Sequence, residues 1–187
     1  YEQGEGHRRA GRDSLAAACY EGVIAKAAGG YRREPGGEWA DDALLLLGRA
    51  YLRRGELREA RASLEEAARR AGDETVRLHA LLHLGEAHVM AGDRSQGTLL
   101  LNLALAGLPS GRMKAEGHLW RAQALLEAGE ADVGWWDLDQ AAQDTGVRME
   151  AALSRLTWAM RLDRPERARE GMRGLLSLGE AGARVDT

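Results

Sequence analysis

Three glycines set the frame for this chain. Gly55, Gly92 and Gly129 stand 37 residues apart, each after a run of helix formers and each before another run, across a short polar turn. A glycine just past a helix end adopts the left-handed backbone that closes the helix without steric penalty. Punctuation at a fixed interval means copies of one supersecondary unit, none of which can bury its apolar face alone. The runs between the glycines are helical by composition. Ala, Leu, Glu and Arg dominate, Phe is absent, Pro occurs only three times, and no stretch sustains strand-like alternation.

Aligned on these glycines, the copies agree in detail. The first reads Leu47-Gly48-Arg49-Ala50-Tyr51, then Gly55, Ala60, Leu64 and Ala67. The second reads Leu84-Gly85-Glu86-Ala87-His88, then Gly92, Gly97, Leu101 and Ala104, with Pro109 closing. The third gives Ala122, Leu125, Gly129, Gly134, Leu138 and Ala141. A fourth copy is more divergent: Leu156, Ala159, Asp163, Ala168, Met172 and Leu175. A partial copy lies at the start: Gly4, His7, Gly11, Ala16, Tyr20 and Val23. The small residues at Gly48, Gly85 and Ala122 mark where paired helices cross closely, since a larger side chain there would push them apart.

This pattern resembles the tetratricopeptide (TPR) repeat: a small residue at a helix crossing, an aromatic three residues later, then small and large residues on a second helix. Leu47-Gly48 with Tyr51, Ala60 and Leu64 is the best match, and the resemblance spans nearly the whole chain. It implies an all-α, right-handed solenoid of antiparallel helix pairs, with about four full repeats and a partial N-terminal one. The expected domain is single, 1–187. The partial repeat takes 1–28, the full repeats about 41–74, 78–111, 115–148 and 149–178, and a tail 179–187. The spacing of 44, 37, 37 and 34 exceeds the ~34 residues of the family, and the excess falls between helix pairs, where loops absorb insertions. The longest insertion, Gly29 to Gly37 with Pro35, is expected as an exposed loop.

Composition excludes several classes. A net charge of -3 with acids and bases interspersed leaves no basic face for nucleic acid. The longest apolar runs, such as Ala43–Leu47, are far below the ~20 residues that span a bilayer. Glu65 with Arg69 and Glu66 with Arg70 sit at four-residue spacing, as solvent-facing helix pairs do. The single cysteine, Cys19, reads as a buried structural thiol. The chain opens at Tyr1, in the middle of a repeat. The stretch Glu38-Trp39-Ala40-Asp41-Asp42-Ala43-Leu44 is similar to repeats of bacterial envelope lipoproteins and periplasmic coordinators of outer-membrane assembly, which tilts the expected compartment toward the periplasm or cell envelope. Arg far outnumbers Lys (only Lys26 and Lys114), as in GC-rich bacterial genomes.

The TPR resemblance further implies a concave groove lined by the first helix of each pair. Its groove positions fall on Asp42, Leu45, Arg49, Leu52 and Arg53, then His79, Leu82, Glu86, Val89 and Met90. In the third repeat they are Glu116, Leu119, Gln123, Leu126 and Glu127, with Trp120 beside them. In the fourth they are Glu150, Leu153, Thr157, Met160 and Arg161. The family's clamp for chaperone C-terminal carboxylates needs basic residues and Asn at several of these places. Leu at a key position in every repeat speaks against that ligand. Leu45, Leu82, Leu119 and Leu153 instead form an apolar ladder. Either it anchors an amphipathic helix or extended segment of a partner protein, or tight curvature buries it as core.

Trp135 and Trp136 are adjacent on a second helix and point about 100° apart, so both cannot enter one core. One is expected to pack on the next repeat and the other to offer a second contact surface or an oligomer contact; Trp39 and Trp158 read as core. His79, His83 and Glu86 share one helical face and form the sole metal-like pattern, with no fourth ligand evident. His88 takes the aromatic core position. The glycines lie at helix ends and not after strands, so no phosphate loop is present, and no Ser or Cys sits in a nucleophile motif. The sequence thus reads as a non-enzymatic protein-binding scaffold or adaptor without a cofactor, part of a larger bacterial complex. The alternative is a self-associating structural subunit.

Overall fold

The computed structural model describes residues 1–28 and 38–183. The expected 29–37 loop and the last residues of the expected tail, 184–187, lie outside them, as does the side chain of Trp39. The described elements are helices throughout: α1 (Glu2–Arg9), α2 (Asp13–Ala28), α3 (Glu38–Arg54), α4 (Leu57–Arg70), α5 (Glu74–Met90), α6 (Arg94–Gly107), α7 (Arg112–Glu127), α8 (Ala131–Ala141), α9 (Arg148–Arg161) and α10 (Pro165–Ala183). The fold is an all-α, TPR-like solenoid of helix pairs. α10 runs through the first five residues of the expected tail.

The chain forms two compact units, Tyr1–Gly107 and Leu108–Thr187. In the first, α1 pairs with α2, α3 with α4 and α5 with α6, and each pair packs on the next. Its core is Leu44, Leu45, Leu52, Leu64, Leu84 and Leu100 with Ala60, Ala67, Ala80 and Ala87. A smaller cluster of Ala16, Ala17, Tyr20, Ala43, Leu46, Leu47 and Ala50 joins α2 to α3. In the second unit α7 pairs with α8 and α9 with α10. Ala122, Leu126, Trp135, Leu138 and Ala159 form its core.

The turn glycines behave as their spacing requires. Gly55, Gly92 and Gly129 have φ of 75°, 84° and 85°. The last hairpin has Asp163 in this role, at φ 50°; Asp is among the few side chains that tolerate this region. The crossings are equally constrained. A Cβ on Gly85 would lie 2.7 Å from Leu101 Cγ, one on Gly4 would meet the Tyr20 ring at 2.6 Å, and one on Gly48 would collide with Leu64. In the fourth pair the small position is filled by Leu156, and the close approach moves along the helix. A Cβ on Gly171 would meet the Leu156 backbone nitrogen at 3.0 Å and the Ala152 carbonyl at 3.1 Å.

Two expectations need adjustment. Cys19 is half-buried, not enclosed. Arg69 bonds Glu66, three residues back, at 2.5 Å, and Arg70 bonds the same carboxylate, so Glu66 serves both guanidiniums.

Candidate functional site

The groove positions differ sharply between the units. In the first, α3 and α5 pack directly on one another. Leu45, Leu52, Leu82 and Val89 are buried core, Leu82 completely. Packed as core, they leave almost no side-chain surface for a ligand. Arg49, His79 and Glu86 are half-buried, and Met90 is 43% exposed. His83 is buried; its Nδ1 lies 2.8 Å from Glu86 Oε2, and its Nε2 is buried without a hydrogen-bond partner. Among the described residues no three His, Cys, Asp or Glu side chains converge as metal ligands would. His79, His83 and Glu86 share a helix face but not a coordination point. His88 bonds Asp93 across the turn, Nδ1 to Oδ2 at 3.1 Å.

In the second unit the same face opens into a cavity of about 350 Å³, lined by Leu119, Trp120, Gln123, Leu138, Glu150, Ser154 and Trp158. α7 supplies one wall, α9 the other and α8 the floor. Four of the expected groove residues, Leu119, Trp120, Gln123 and Glu150, come together here. Leu126 belongs to the core beneath, while Leu153 and Met160 are 47% and 71% exposed on α9, outside the lining. Among the described residues no hydrogen bond or ion pair engages the Glu150 carboxylate, the Gln123 amide or the Ser154 hydroxyl. Arg161 lies over the Trp158 ring, 5.0 Å from its centroid. The Arg112 guanidinium is held above its ordinary value chiefly by its hydrogen bond to Glu116, and Glu150 adds to that field.

Trp158, read from the sequence as core, is half-buried: it packs against the core of the second unit and also lines the cavity, a double role that the repeat register could have flagged. The equivalent positions in the three preceding repeats are Ala50, Ala87 and Ala124, all buried. An indole at a place otherwise kept for a methyl group fills space that a neighbouring helix would take. Trp120 has a similar history: Leu46 and His83 precede it in register.

A buried polar cluster fixes α7 to α8. Asp137 is fully buried. It accepts from Arg121 Nε at 2.8 Å and from Arg121 Nη2 at 2.7 Å, and His118 Nδ1 is 2.7 Å from its Oδ1. A bidentate guanidinium with a second partner satisfies both carboxylate oxygens, the condition for burying such a group. The edge of Trp136 meets His118, ring centroids 5.5 Å apart at 77°, while half of Trp136 stays in solvent. Trp135 is buried, with Arg167 of α10 at 5.7 Å from its ring centre. The adjacent indoles therefore divide, one into the core against the last helix and one at the surface.

No family model matches the sequence, and no curated protein matches it at a significant level. Solved structures share the fold. A crystal structure of MamA is 20% identical with a TM-score of 0.68, covering 97% of this chain and 96% of that one. MamA AMB-1 is 20% identical with a TM-score of 0.62, covering 96% and 89%. A kinesin light chain from Podosopora anserina with nearly identical TPR-like repeats is 17% identical with a TM-score of 0.75, covering 98% and 94%. Identities this low establish the TPR-like fold, and the fold alone.

Proposed function

We propose that this chain is a non-enzymatic scaffold or adaptor of a larger bacterial complex, binding a helix or extended segment of a partner protein along the first-helix face of its second unit. The observation that carries this reading is the cavity between α7 and α9, where two indoles and two leucines stand beside unengaged polar groups. Apolar anchoring with a few converging polar groups is how a groove holds a peptide segment. Trp is also among the residues most often dominant in interface energetics.

Affinity capture from host lysate tests it, comparing the wild type with Leu119→Glu. Leu119 is half-buried at the cavity wall, so the variant can retain its helical circular dichroism, unlike a charge at the fully buried Leu82. One protein retained by the wild type and released by the folded variant supports the groove. Identical capture by both sinks it.

A second reading, self-association, is favoured by the exposed apolar residues of the last pair: Met160 at 71%, Leu176 at 68% and Met172 at 51%. Such side chains are commonly covered in solenoids by a further or capping repeat. Light scattering across a concentration series separates the readings, because a mass that grows with concentration belongs to the subunit and a constant monomer mass to the adaptor.

A further inference from the structure

We propose that the cavity between α7 and α9 is a subsite for one basic side chain, an arginine or lysine carried by the partner segment. This rests on the groove reading above and names the chemistry the groove selects. The cavity's composition discriminates among three ligand classes. An anion meets the Glu150 carboxylate and finds no cationic side chain among the lining residues. A purely apolar side chain fills the space against Leu119 and Leu138 but strips water from Glu150, Gln123 and Ser154 without replacing their hydrogen bonds. A long cationic side chain meets every requirement. Its methylene stem packs on the leucines, its charge lies against the indoles, and its N–H groups donate to the Glu150 carboxylate and the Gln123 carbonyl.

The structure already contains this interaction in miniature. The Arg161 guanidinium sits 5.0 Å from the Trp158 ring centroid, so one face of that ring carries a cation, and a planar ring has a second face. Both indoles are peculiar to this unit. The register positions of Trp158 in earlier repeats hold Ala50, Ala87 and Ala124, and those of Trp120 hold Leu46 and His83. The subsite is therefore a feature of the second unit and not of the repeat.

The test selects phage-displayed random dodecapeptides on the full chain and measures the winners by calorimetry. The expected winners share an Arg or Lys whose replacement by norleucine weakens binding by about tenfold or more. Trp120→Ala and Glu150→Gln, both with unchanged circular dichroism, weaken it comparably; Glu150 is exposed, so its variant keeps the fold. Winners that need Trp120 but carry no shared basic residue overturn the basic subsite and leave the groove reading standing. Winners indifferent to Trp120 and Glu150, or no enrichment at all, overturn both. Tetramethylammonium is the third arm. If it saturates the cavity at micromolar concentration without peptide, the site belongs to a small organic cation, and the side-chain proposal falls.

Discussion

Leu82 and Leu153 hold the same register position in their repeats and have opposite surroundings. Leu82 is completely buried in the first unit, where α3 and α5 pack together; Leu153 is 47% exposed in the second. The cause lies in their neighbours. The first unit keeps alanine at 50 and 87 throughout; the second keeps alanine at 124 but carries Trp158 at that position in its last repeat. The same substitution of character recurs on the other face of α7. His118, Arg121 and Asp137 occupy the register of Leu81, Leu84 and Leu100. One scaffold thus carries an apolar, closed version of the repeat and a polar, open one. The lesson is that repeat periodicity specifies where helices go, while a few departures from it specify where a surface opens.

The largest expected effect comes from the polar version. Asp137→Ala strands the Arg121 and His118 side chains in a buried site and is expected to cost about 3–5 kcal/mol. The triple replacement His118→Leu, Arg121→Leu, Asp137→Leu copies the first unit's solution and is expected to be neutral or stabilising. Urea unfolding followed by tryptophan emission measures both, since four of the five tryptophans lie in the second unit. A triple variant less stable than Asp137→Ala would show that the two units are not interchangeable in design.

Next in size is the leucine ladder itself. Leu82→Ala is expected to lose about 2–5 kcal/mol, and Leu153→Ala to stay within about 0.5 kcal/mol. Equal losses in urea unfolding followed by circular dichroism would erase the distinction between closed and open faces.

Alkaline pH sharpens the comparison, because all four tyrosines precede residue 52. The Tyr51 phenol is pushed up to about 12, first by its hydrogen bond to the Glu21 carboxylate and then by burial. The Tyr20 phenol is raised by burial first and then by its 2.6 Å bond to Glu5. A folded pKa above the unfolded one means that the folded state holds the proton more tightly. That contribution is full below about pH 10, the ordinary phenol value, and is lost as pH climbs toward 12. The first unit is expected to weaken over this window, read as a phenolate absorbance transition coupled to helix loss, while emission from the second unit changes less. Phenolate formation near pH 10 with helicity intact would remove the argument.

The smallest effect is a helix cap. The Asp73 carboxylate accepts from the backbone N–H of Thr75 at 2.7 Å and of Val76 at 3.1 Å. These bonds hold it below the usual carboxylate range, so its contribution is present above its unfolded value and fades as pH falls through the folded one. Asp73→Ala is expected to speed amide exchange in the first turn of α5 and to leave the second unit unchanged.

The sequence by itself determined the helix pairs, their turns and their crossings. Gly55, Gly92 and Gly129 had to close helices, and Gly48 and Gly85 had to admit Leu64 and Leu101, because those constraints are local and repeat with the chain. It also separated Trp135 from Trp136, since 100° per residue is a property of any helix. The candidate site was legible only in part. Leu119, Trp120 and Gln123 fell on the right face, but Trp158 read as core, and Leu45 and Leu82 could be groove or core alike. Burial depends on how closely one first helix approaches the next. That distance is set by side-chain volumes meeting from different helices, a sum over contacts that no single segment contains. Only the tertiary structure decided that the ladder closes in one unit and opens into a cavity in the other.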